Sequence, residues 1–127
     1  MNLEKVIFGF FIVLAATLNF GFVIGDLDNP ILHDVYELFA AIVVNLIATV
    51  LKFGDRTHIG AIHLSTSLVA DLQLVAAALA WAYGVHVAGV GMTPEVTARV
   101  VSLASGALFA NVVSVVILIA ETIMQKR

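Results

Sequence analysis

No cysteine occurs in the 127 residues. That excludes disulfide stapling and thiol catalysis, and it leaves the redox compartment unreadable. Charge is equally scarce. Only 12% of the residues are charged, against about 25% in an ordinary soluble domain. Six are basic, too few for a surface that reads phosphates, so no nucleic-acid partner is expected. What fills the chain instead is apolar. Hydrophobic residues make up 61%, where about 45–50% is typical. Such a composition excludes disorder. A water-soluble fold would have to expose most of that surface, so the expected solvent is lipid.

A helix crosses a hydrocarbon core of roughly 30 Å with about 20 mostly apolar residues. Four stretches are long enough, at residues 6–24, 31–51, 59–85 and 96–124. The links between them are short, so residues 1–127 read as a single transmembrane domain. The first stretch reads as a span and not as a cleaved signal peptide, because it is too long and has only Lys5 as a basic flank. The only two prolines fall in the breaks. Asn29-Pro30 and Thr93-Pro94-Glu95 each predict a capping residue followed by proline at the first helical position. The expected fold is all-α: an antiparallel bundle of four transmembrane helices that forms homo-oligomers. Basic residues favour cytoplasmic loops. Lys5, Lys52, Arg56, Lys126 and Arg127 then share one side, which predicts a multi-pass protein with both termini cytoplasmic. Only Arg99 falls on the other side, beside Asp26, Asp28, Asp34, Glu37 and Glu95. The outer face is therefore expected to be acidic.

Polar residues inside the spans are the ones lipid rejects. On a helical wheel of the second span, Asp34, Glu37, Ala41, Asn45, Ala48, Thr49, Lys52 and Arg56 fall within roughly 120°. Phe39, Val43, Leu46, Ile47 and Val50 occupy the opposite face. The stripe reads either as a wall of an aqueous ion path or as the side that hydrogen-bonds neighbouring helices. Near the middle of the third span stands Asp71, which costs about 2.5–3.5 kcal/mol to place at the bilayer centre. His63, Thr66, Ser67 and Gln73 share its side, while Leu64, Leu68, Leu72, Val75 and Leu79 form the other. No basic residue lies at that depth. Asp71 must therefore be protonated, hydrated or hydrogen-bonded, with Asn45, Thr66 or Asn111 as partners. In the fourth span Ala98, Ser102, Gly106 and Ala110 recur every four residues, a ladder that predicts close helix packing. Asn111 and Ser114 project from another side and need partners of their own.

Other chemistry finds little support. His58 and His63 are five residues apart on one helix and cannot face each other across a haem. Asp26, Asp28 and Asn29 lack the rest of a calcium loop. Neither a metal site nor a cofactor is expected, and no constellation predicts an enzyme. The leading expectation is an oligomeric pore for inorganic cations. Asp34 and Glu37 would be its entry charges, Asn45, Thr49, Thr66 and His63 its lining, and Asp71 its pairing or gating group. Lys52 and Arg56 would stand at the inner mouth, placed to dock a cytosolic regulatory subunit or anionic lipid. The alternatives are a structural or accessory subunit of a larger membrane assembly and, less favoured, a proton-coupled carrier of small solutes in which Asp71 cycles its proton.

Overall fold

A computed structural model describes residues 3–25, 29 and 33–125. Asp26, Asp28, Pro30, Ile31, Lys126 and Arg127 lie outside the described residues. The chain forms α1 (Leu3–Val23), α2 (Val35–Lys52), α3 (His58–Ala82) and α4 (Pro94–Gln125), with one π-helical turn, Tyr83–Val87, continuing α3. No strand occurs among the described residues. All four helices are long and apolar enough to cross a membrane, and the protein is accordingly a multi-pass membrane protein.

Local chemistry sets the helix ends. The Thr93 hydroxyl accepts from the Val96 amide at 3.1 Å, and Pro94 opens α4 as expected. Thr57 caps α3 by accepting from the Gly60 amide at 3.0 Å. The start of α2 needs a correction. Its cap is not Asn29 but Asp34, whose carboxylate accepts from the Tyr36 amide at 2.9 Å. Just before it, His33 Nδ1 donates to the Phe22 carbonyl at 2.6 Å. That bond ties the residue before the cap to the end of α1.

The faces are turned inside out relative to a soluble protein. On α3, Leu72 and Leu79 are 70% and 65% exposed, while His63 and Ser67 on the other side are fully buried. On α2 the exposed residues are Phe39, Val43, Leu46, Ile47 and Val50, and the buried ones include Asn45, Thr49 and Lys52. Apolar out and polar in is the arrangement that lipid selects. Principal contacts join α1 to α2, α2 to α3, α3 to α4 and α4 to α1. Alanines dominate the buried seam, with Ala70 and Ala77 of α3 against Ala104 and Ala107 of α4. Small side chains there let the backbones approach.

The α3–α4 link shows how tight that approach is. The Ala88 amide donates to the Tyr83 carbonyl at 2.7 Å, closing the π turn, and the Val90 and Gly91 amides both donate to the Gly84 carbonyl at 3.0 Å. Gly89 and Gly91 take positive φ, 69° and 74°, which the turn requires. A Cβ on buried Gly84 would stand 2.8 Å from Val96 Cγ1. Gly84→Ala is expected to cost about 1–3 kcal/mol by overpacking. A lowered thermal midpoint in detergent, followed by circular dichroism, is the check, and an unchanged midpoint would refute it.

Candidate functional site

His63, Ser67 and Asp71 stand at four-residue intervals on α3, so they stack along one face with a rise of about 6 Å per step. His63 and Ser67 are fully buried, and Asp71 is half-buried. Each of the outer two has a partner on a different helix. His63 Nδ1 lies 2.8 Å from the Ser114 hydroxyl of α4. The Thr49 hydroxyl of α2 donates to Asp71 Oδ2 at 2.5 Å. Three helices thus converge on one polar line.

Thr49 also stands 2.9 Å from the Asn45 carbonyl oxygen. One hydroxyl hydrogen therefore has two acceptors. When Asp71 is ionised, Thr49 donates to it. When Asp71 carries a proton on Oδ2, the carboxyl donates to Thr49 and Thr49 donates to the Asn45 carbonyl. The pair accommodates both charge states by reorienting one O–H bond.

Many atoms on this line have no partner among the described residues. Asn45 Oδ1, His63 Nε2, Ser67 Oγ, Asp71 Oδ1 and both amide atoms of Asn111 are buried without a hydrogen bond. Asn19 of α1 stands in contrast. With its amide oriented to suit its neighbours, Asn19 donates to the Ala104 carbonyl at 2.9 Å and accepts from the Leu108 amide at 3.0 Å. It is a satisfied cross-link to α4.

The end of the line nearest Lys52 holds a buried ion pair. Lys52 is 5% exposed. Its Nζ pairs with Asp55 Oδ2 at 3.3 Å and sits 4.2 Å from the centre of the Phe8 ring. That ring meets the His63 ring edge-on, 5.0 Å between centres. Asp55 in turn accepts from the Thr57 hydroxyl at 2.7 Å and the Thr57 amide at 3.0 Å. Those two bonds, with a smaller contribution from Lys52 and against some desolvation, lower the Asp55 pKa from 3.8 to about 2. A carboxyl held below its unfolded value stabilises the fold at pH above that value and loses its contribution as pH falls through the folded one. Asp55 therefore supports the fold down to pH of about 2. In Thr57→Val the acid limb of the thermal midpoint is expected to shift upward toward pH 3.8, the ordinary value. An unshifted limb would show that Thr57 does not hold the carboxylate.

The remaining candidates scatter. Asp34 is exposed and serves as the α2 cap. Half-buried Glu37 packs over Gly21 of α1, where a Cβ would collide with its carboxylate. Half-buried Thr66 turns back to the His63 carbonyl at 3.0 Å and does not join the line. Arg56 is exposed. Lys52, expected at the inner mouth to dock a regulatory subunit or anionic lipid, is instead buried and paired with Asp55.

The small-residue ladder is out of step with the buried seam between α3 and α4. Ser102 is exposed, Ala98 and Gly106 are half-buried, and only Ala110 is buried. Gly106 does mark one close approach, since a Cβ there would stand 3.1 Å from Gln73 Oε1 of α3. The buried face of α4 runs through Thr97, Val100, Val101, Ala104, Ala107, Asn111 and Ser114. Sequence reasoning had noted that Asn111 and Ser114 need partners, and it missed Phe8 altogether. An aromatic at helical spacing from other apolar residues carries no signal that a cation lies on its face. Among the described residues, no three His, Asp or Glu side chains group as metal ligands. What the arrangement offers is hydrogen bonding and proton exchange at mid-helix.

A family model described as a family of unknown function, DUF6394, matches residues 32–122. No curated protein and no solved structure matches. The matched segment holds Asn45, Thr49, His63, Ser67, Asp71, Asn111 and Ser114, while Phe8 and Asn19 precede it.

Proposed function

The chain belongs to the DUF6394 family of unknown function, and we propose that it carries protons across the membrane through the polar interior of its own four helices, with Asp71 as the central relay. The observation that carries this reading is the line of buried, unpartnered polar atoms around Asp71. Oriented by its basic loops, the bundle is antiparallel with both termini cytoplasmic. Lys52 then marks the inner end of the line and Asp34 the outer surface. Asp71 accepts a proton on its free Oδ1 while Oδ2 goes on accepting from the Thr49 hydroxyl, and His63 with Ser114 continues the path inward.

An oligomeric cation pore lined by α2 fits less well. Its lining residues, Asn45 and Thr49, are buried within the subunit at 0% and 4% exposure, so they are not available to a symmetry axis between subunits. A path inside the subunit needs no oligomer.

Reconstitution into liposomes containing a pH-sensitive dye tests the proposal. A potassium diffusion potential is imposed with valinomycin, and the interior pH is followed. Proton entry faster than in protein-free liposomes is the expected result. Equal rates would overturn the reading and leave the polar line as adhesive between helices, in an accessory subunit of a larger assembly.

A further inference from the structure

The polar line breaks between Asp71 and His63, and the break has a specific chemistry. Ser67 stands one helical turn from each of them. Across the α3–α4 interface, the His63–Ser114 hydrogen bond and the approach of Gln73 to Gly106 fix the register. Between those two contacts the register sets Ser67 opposite Asn111. Both residues are fully buried, and neither Ser67 Oγ nor either amide atom of Asn111 has a partner among the described residues. His63 Nε2, one turn away, is also unpartnered.

Magnitudes decide what this means. Each buried polar atom left without a hydrogen bond costs about 1–3 kcal/mol. Four such atoms meet here, Ser67 Oγ, His63 Nε2 and both amide atoms of Asn111. Together they would cost a large part of a typical folding stability of about 5–15 kcal/mol. Something must satisfy them. Asn111 presents a donor and an acceptor, Ser67 presents both on one oxygen, and none of these groups is ionised. A bare cation would leave the donors unmet, and an apolar ligand would meet nothing. The ligand must donate and accept within a small space, which describes water.

We infer that Ser67, Asn111 and His63 Nε2 form a buried water-binding site between α3 and α4, the link through which protons pass from Asp71 toward His63. Four residues of helix rise about 6 Å, so Asp71 and His63 are two such steps apart, and one water making two hydrogen bonds of about 2.8 Å spans each step. The relay role rests on the proton reading above, whereas the binding of water does not.

The test is water-edited solid-state NMR on the full chain, isotope-labelled and reconstituted in liposomes. The Asn111 side-chain amide is identified by its loss in Asn111→Leu, or in Asn111→Ser if the leucine variant does not fold. Asn19, whose amide is satisfied by the α4 backbone, is the internal dry reference. Polarisation from water is expected to reach the Asn111 amide several-fold faster than the Asn19 amide. Equal, slow transfer to both would overturn the site. Fast transfer to Asn111 without proton flux in the liposome assay sustains the site and removes its relay role. Flux with a dry Asn111 overturns the site and leaves the transport reading in place.

Discussion

Asp71→Asn is expected to reduce proton flux in liposomes on the order of a hundredfold, the usual loss when a positioned proton-transfer group is removed. The substitution is nearly isosteric. An asparagine at this position still accepts from the Thr49 hydroxyl, so the contact at 2.5 Å between α2 and α3 survives. It removes a carboxyl that costs about 2.5–3.5 kcal/mol at the bilayer centre, so the fold should hold. What it cannot do is bind and release a proton. The measurement pairs flux with thermal unfolding of the same preparation. Lost flux with an unchanged midpoint is the expected outcome. Flux equal to that of the unaltered protein would remove Asp71 from the path. Asp71→Glu keeps the proton but lengthens the side chain, and should retain part of the flux.

The second large effect lies at Lys52. Its ammonium is almost wholly buried, held by Asp55 and the Phe8 ring. Removing one member of a buried ion pair leaves the other uncompensated and costs about 3–5 kcal/mol, whereas replacing the charge with an apolar side chain of similar size is often neutral. The Asp55 side chain is 20% exposed, so water recovers part of the loss. Asp55→Ala is therefore expected to destabilise by about 2–3 kcal/mol. Lys52→Met should stay within about 1 kcal/mol of the unaltered protein, since Asp55 keeps its bonds to Thr57. The double variant should be more stable than Asp55→Ala alone, a non-additivity that marks direct coupling. Unfolding by SDS titration in mixed micelles reads all three. Lys52→Met as damaging as Asp55→Ala would mean that the ammonium itself holds the bundle end together.

Much of this architecture is written in helical periodicity. The polar side of the second span and the leucine side of the third were both legible, because residues three and four apart must share a face. The Thr93-Pro94 start was legible because its chemistry is local. The start of α2 was misread for a related reason. Asn29-Pro30 has the right local pattern, but His33 bonds to the Phe22 carbonyl, a contact no local pattern contains. The ladder through Ser102 is real as a sequence pattern, yet the face that packs within the chain is the neighbouring one. Small residues permit close approach without dictating which partner takes it.

The candidate site divides along the same line. Asp71 could be singled out because a carboxylate in an apolar span is conspicuous whatever surrounds it. Its partner Thr49 is 22 positions away, and the His63–Ser114 pair spans 51. Amino-acid composition alone determined the solvent of this protein, since the apolar fraction leaves lipid as the medium that can cover it. Periodicity determined which side of each helix is polar. Neither could say where that side points, because the rotation of a helix about its own axis is set by the groups it meets on its neighbours. Only the tertiary structure turned Asn45, Thr49 and Lys52 of the α2 stripe inward, against the other helices.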